Sequence, residues 1–122
     1  MSDKISNQNI ILKLRGANFF GQESKGLMQL RGNGNLMLTR SELYFKQWLR
    51  KKEILIPISK IQTAEIVTSY LHKSVGRPLL KVTFLNELGK IDSIAWWVRD
   101  VNKWITAISD LKRKSESFHK GY

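Results

Sequence analysis

Val101-Asn102-Lys103-Trp104-Ile105-Thr106-Ala107-Ile108-Ser109-Asp110-Leu111-Lys112-Arg113-Lys114, near the C-terminal end, reads as an amphipathic helix. Val101, Trp104, Ile105, Ile108 and Leu111 fall at spacings of 0, 3, 4, 7 and 10, one apolar stripe of a helix laid on a core. Asp100 is a suitable N-cap, because its carboxylate can accept from the first free backbone amides. Lys112, Arg113 and Lys114 fall in the last turn, where the helix dipole favours cations. Six or seven short β-runs precede this helix. A single terminal helix with Trp104 on its apolar face predicts a plug on an open β-barrel or a strongly bent sheet.

Working back from the helix, Lys90 to Val98 and Leu79 to Leu85 read as a hairpin around Asn86-Glu87-Leu88-Gly89. Trp96 and Trp97 point to opposite faces of that strand, so one is core and the other is exposed or covers the helix. His72 to Pro78 reads as a loop, and the β-branched run Ile61 to Leu71 as a long strand. Glu53 to Ile58 places Ile54, Ile56 and Ile58 on one face. Pro57 has no backbone donor, so this strand lies at an edge or ends there. Asn35 to Thr39 and Glu42 to Trp48 alternate with period two and pair across a tight Arg40-Ser41 turn. Gly32-Asn33-Gly34-Asn35 carries an Asn-Gly hairpin signal after a short strand at Leu27 to Arg31. Ile10 to Phe20 fits either a strand or a short helix. The organisation read from this is a disordered N-terminus at Met1 to Asn9, one domain over residues 10–114 and a flexible tail at residues 115–122.

Composition excludes several function classes. The 122 residues contain no cysteine, which removes a disulfide framework, a thiolate zinc site and a cysteine nucleophile together. No run approaches the roughly 18 apolar residues of a membrane span, and Met1 to Asn9 lacks the apolar core of a secretory signal. A cytoplasmic location, with peripheral membrane attachment as its variant, follows. His72 and His119 are too far apart in sequence to suggest a metal site, and His72 beside Ser74 lacks an identifiable orienting group. Gly32-Asn33-Gly34-Asn35 has neither the lysine nor the helix of a phosphate loop. The reading is a non-enzyme without a cofactor. Twenty-one Lys and Arg against ten Asp and Glu give a net charge of +11, which favours an anionic partner: an acidic membrane surface, an acidic protein or nucleic acid.

Gly34-Asn35-Leu36-Met37-Leu38-Thr39 followed by Leu43-Tyr44-Phe45 is similar to the glycine, apolar, leucine-threonine, then leucine-x-phenylalanine hairpin of the pleckstrin-homology-like superfamily, in its GRAM-like bacterial branch. Ile54-Leu55-Ile56-Pro57-Ile58 with Ile61 resembles the family's next strand and turn, Trp104 its helix tryptophan, and Ala17-Asn18-Phe19-Phe20-Gly21 the lead-in of its bacterial members. The resemblance spans roughly residues 10 to 113. It implies a mainly β fold, a seven-stranded antiparallel bent barrel capped by one C-terminal α-helix. It also implies a non-catalytic adaptor for lipids or proteins. The phosphoinositide signature of such domains is a set of basic residues around the first hairpin. This chain departs from it, with Lys25 and Arg31 near that hairpin and Arg40 at the far end of its second strand.

That topology would place three loops at the open end: Arg31 to Asn35, Trp48 to Lys52 and Asn86 to Lys90. The candidate anion or lipid ligands are therefore Arg31, Trp48, Arg50, Lys51, Lys52 and Lys90, offset by Glu53 and Glu87. Arginine forks and lysine point charges suit phosphate oxygens, and a tryptophan beside them suits a membrane interface. The paired tryptophans and the Pro57 edge fit a peptide-docking module equally well. Nucleic-acid binding predicts exposed aromatics along a basic stripe, and most aromatics here fall in core phase.

Overall fold

Alternating leucines and isoleucines fold this chain into a sheet with one consistently apolar face. The computed structural model describes residues 10–26, 29–50 and 52–120. The strands are β1 (Ile10–Gln22), β2 (Gly32–Thr39), β3 (Glu42–Gln47), β4 (Glu53–Pro57), β5 (Ile61–Tyr70), β6 (Lys73–Leu85) and β7 (Ile91–Trp97), followed by the helix α1 (Val101–Lys120). Short 3-10 turns occupy Glu23–Lys25 and Ile58–Lys60. All seven strands form one antiparallel sheet in the order β4-β3-β2-β1-β7-β6-β5. β4 and β5 are its two edges, so the sheet is open. Among the described residues no helix is long and apolar enough to cross a membrane.

β1 serves both halves of the sheet. Ile10 to Phe19 pairs with β2, and Asn18 to Gln22 pairs with β7. Gly16 makes the change of direction possible. It sits at φ +104°, inside a register shift between Arg15 and Ala17, where a bulge bends the strand. The inward side chains then converge. Phe19 stacks on Phe45 at 5.8 Å, and Phe45 meets Trp96 at 5.7 Å. Trp104 and Ile108 close this core from the helix, which packs on the Ile58–Lys60 turn, β5 and β6. The apolar stripe read from the sequence is the buried face of α1.

Several expectations need correction. Ile10 to Phe20 is strand, extended to Gln22. Gly32 to Asn35 is the start of β2 rather than a turn. A Cβ on Gly34 would lie 2.3 Å from the Lys46 carbonyl and 2.7 Å from the Phe45 ring, so close packing against β3 explains the glycine. Gln29 to Arg31 is unpaired chain, and the remainder of the predicted Leu27 to Arg31 strand lies outside the described residues. His72 to Pro78 belongs largely to β6, with residues 75–78 bulged between the Val67–Leu79 and Ser69–Ser74 pairs. The observed contact of Asp100 uses its backbone carbonyl, which accepts from the Lys103 amide at 2.9 Å. The α1 backbone continues to Lys120, past the predicted end at Lys114. The predicted disordered segment Met1 to Asn9 lies outside the described residues, as does the end of the tail.

The 75–78 bulge lets the β5–β6 hairpin curl over the outer face of the sheet. There Tyr70, Leu79 and Ala95 form a second small cluster with Phe20, Leu71 and Trp97. Trp96 is the core tryptophan. Trp97 lies under this hairpin with Arg77 5.8 Å from its ring, rather than standing exposed or covering the helix.

Candidate functional site

Antiparallel pairing brings three connections to the same end of the sheet. They are the β1–β2 loop (residues 23–31), the β3–β4 turn (residues 48–52) and the β6–β7 loop (residues 86–90). The sequence reading placed the first of these at Arg31 to Asn35. The real loop lies just before that stretch.

Each connection is fastened by local chemistry. In the β3–β4 turn, the Gln47 amide donates to the Lys52 carbonyl at 2.8 Å, and the Trp48 amide to the Asn33 carbonyl at 3.0 Å. The Trp48 indole N–H donates to Asn35 Oδ1 at 3.0 Å, while Arg15 lies 5.9 Å from the ring centre. The ring is held at the rim, half exposed. In the β6–β7 loop, Asn86 Oδ1 accepts from the Leu88 and Lys90 amides at 2.9 and 3.1 Å, the side-chain turn that asparagine favours.

Asp92 ties the first loop to the third. Its buried carboxylate accepts from Gln22 Nε2 at 2.7 Å, from the Ser24 amide and hydroxyl at 2.9 and 2.6 Å, and from the Ser93 amide at 2.9 Å. Burial raises the pKa of such a group, but these hydrogen bonds outweigh it and hold the carboxyl below its ordinary 3.8. This anchor folds the Glu23–Lys25 turn back over the open end and carries Lys25 toward Lys52. Burial and the charge of Lys25 both depress the pKa of the Lys52 amine. Lys52 also lies 4.8 Å from the centre of the Phe19 ring.

The predicted ligand set is thereby distributed. Trp48, Arg50 and Lys52 share the β3–β4 turn, Lys90 ends the β6–β7 loop, and Arg31 ends the β1–β2 loop, its guanidinium 4.3 Å from the Phe20 ring centre. Lys51 lies outside the described residues. Sequence reasoning left Lys25 out of the set, and it also missed the leucines at this end. Leu30 is 63% exposed, Leu49 90% and Leu88 80%. For Leu49 and Leu88 a signal was available, since a leucine inside a turn has no strand face to occupy; Leu30 was hidden by its reading as part of a strand.

A groove of about 570 Å³ opens beside these loops, between the outer edge of β4 and the end of β6. Lys25, Lys52 and Lys60 line it together with Leu55, Phe84 and Leu88. Among the described residues no three histidines or carboxylates gather closely enough to hold a metal ion.

No protein-family model matches the chain, and no curated protein matches it in sequence. Solved structures match it in fold. A chain of the 8S snRNP assembly intermediate is similar over 93% of this chain and 89% of its own length, with a TM-score of 0.71 at 10% identity. A chain in the complex of PDZ-RhoGEF DH/PH domains with GTP-γ-S-activated RhoA is similar over 85% of this chain but only 29% of its own, with a TM-score of 0.57 at 10% identity. The C-terminal domain of an unknown protein from Leishmania infantum gives a TM-score of 0.54 at 14% identity, covering 84% and 83% of the two chains. At these identities the likeness is one of fold: seven antiparallel strands in one sheet with a single C-terminal helix.

Proposed function

We propose that this chain is a pleckstrin-homology-like domain of the GRAM-like kind, acting as a non-catalytic module that docks peripherally on an anionic membrane surface. One observation carries the reading. Each of the three connections at the open end joins an exposed leucine to a basic side chain: Leu30 with Arg31, Leu49 with Arg50, and Leu88 with Lys90. Single exposed leucines are ordinary, but one on each of three neighbouring loops makes an apolar crown ringed by cations. Such a crown suits a bilayer, where leucines enter the acyl boundary and lysines and arginines meet lipid phosphates. Each basic group near an anionic surface contributes about 1 kcal/mol, enough in combination for reversible attachment. Trp48, half exposed at the rim beside these cations, is an amphipathic ring of the kind that favours a membrane interface.

The test is sedimentation with phosphatidylcholine vesicles, with and without phosphatidylserine, at physiological salt, with a single-stranded oligonucleotide as competitor. Binding only to the anionic vesicles, resistant to the competitor, is expected. Replacing Leu30, Leu49 and Leu88 by serine should weaken it at least tenfold without lowering the melting temperature. Equal binding to neutral vesicles, or complete displacement by the oligonucleotide, would overturn the reading.

A further inference from the structure

The groove beside β4 goes beyond membrane docking, because a flat bilayer cannot enter it. We infer that it receives an extended acidic segment of a partner protein, which adds as an extra strand along the outer edge of β4.

The backbone register supplies the first support. The Gln47 amide bonds to the Lys52 carbonyl, and the Ile58 amide to the Ser41 carbonyl. In an antiparallel pair such bonded positions alternate, so Ile54 and Ile56 are the residues that bond across to β3. Leu55 therefore turns its N–H and C=O outward, toward the groove. Pro57, in the same outward phase, has no N–H and stops an added strand there. The five residues of β4, at roughly 3.3 Å each, fit a short peptide.

Side chains give the second support. Leu55 is 41% exposed on the near wall, and Leu88 with Phe84 forms the far one. Lys25 and Lys52 stand at the end of β4 where it begins, and Lys60 just beyond the end where it stops. Three carboxylates share the walls, but two are engaged. Asp92 is bonded to Gln22, Ser24 and Ser93, and Glu53 accepts from the Tyr44 hydroxyl at 2.7 Å and pairs with Lys46 at 3.9 Å. Glu87 alone remains against three lysines. Burial, and after it the proximity of Lys25, disfavours the charged form of Lys52, and an incoming carboxylate offsets both. A second copy of this chain would bring the same lysines to the same edge, so like charge disfavours self-pairing.

Fluorescence polarisation tests this with a fluorescein-labelled peptide of alternating valine and threonine, flanked by two glutamates at each end. Saturable binding at physiological salt is expected. At least tenfold weakening is expected for the lysine-flanked peptide, for a peptide N-methylated at alternate amides, and for the Lys25→Glu, Lys60→Glu double variant. In nuclear magnetic resonance spectra the Leu55 amide should shift and gain exchange protection on peptide addition. Leu55→Pro removes the edge donor and should abolish binding. If that variant fails to fold, the N-methylated peptide decides the same question. Equal affinity of the N-methylated peptide, no saturable binding, or a Leu55 shift that instead tracks dimerisation of the protein alone would each overturn the inference.

Discussion

Strand β7 faces two interiors that are built differently. On its inner face Ile94 and Trp96 are fully buried against Phe19, Phe45 and the helix residues Trp104 and Ile108. On its outer face Ser93, Ala95 and Trp97 lie beneath the curled β5–β6 hairpin. The inner side is broad, aromatic and held by area and shape. The outer side is small and fastened by directed bonds. The Tyr70 hydroxyl donates to the Ser93 carbonyl at 2.8 Å, and the Ser93 hydroxyl donates to Glu23 at 3.1 Å. One interior is therefore sensitive to volume, and the other to the protonation of a few groups.

The largest effect should come from the inner face. Trp96→Ala empties the centre of the aromatic cluster and should cost about 3–5 kcal/mol in denaturant unfolding. A cost under about 1 kcal/mol would mean that the two interiors are of equal weight. Asp92→Ala comes next. It strands the donors of Gln22, Ser24 and Ser93 and should cost about 1–3 kcal/mol. Its pH signature is specific. Because the folded carboxyl titrates below 3.8, its contribution is complete above that pH and is lost as pH falls through the folded value. The variant should therefore show a shallower acid limb than the parent, and identical acid limbs would contradict the role given to Asp92.

Tyr70→Phe probes the outer face most gently, with an expected cost of about 0.5–1.5 kcal/mol. Burial pushes the Tyr70 phenol from 10.0 up to about 12, against the hydrogen bond to Ser93, which pulls the other way. Folded protein thus holds this proton more tightly than unfolded chain. The associated stability is complete below pH 10.0 and disappears as pH rises through about 12. Tyr70→Phe should flatten the alkaline limb of a melting-temperature profile without abolishing its slope. Tyr44, raised to about 12 by burial and by Glu53, remains to titrate there.

The two interiors also differ in how far sequence disclosed them. Leu36, Leu38, Leu43 and Phe45 announce the inner face by strict alternation, and Trp104 and Ile108 announce the helix that closes it. Pro57 marked β4 as an edge by the one atom it lacks. Nothing of the kind announces the outer cluster. It depends on residues 75–78 bulging so that Tyr70 lands on Ala95, a meeting of distant segments with no local periodicity. Gly32 and Gly34 misled for a related reason. Turn-forming residues were serving close packing against β3, which depends on a partner strand. At the candidate site the basic loops were legible as charge runs. The approach of Lys25 to Lys52 was not, since it depends on Asp92 drawing in a loop nearly seventy residues earlier in the chain, as the Ser24 bonds show.

The position of β1 at the middle of the sheet has a kinetic consequence. β1 to β4 form one run of sequential neighbours and β5 to β7 another, and within each run every strand pairs with the next through a local connection. The seam between them, where Phe19 sits opposite Trp96, joins residues from opposite ends of the chain. Closing so long a loop incurs its entropic penalty before any contact rewards it, and topologies of that kind fold on the order of milliseconds to seconds. The two runs are thus equipped to organise early and separately, and the seam at β1 and β7 is the step for which the whole molecule waits.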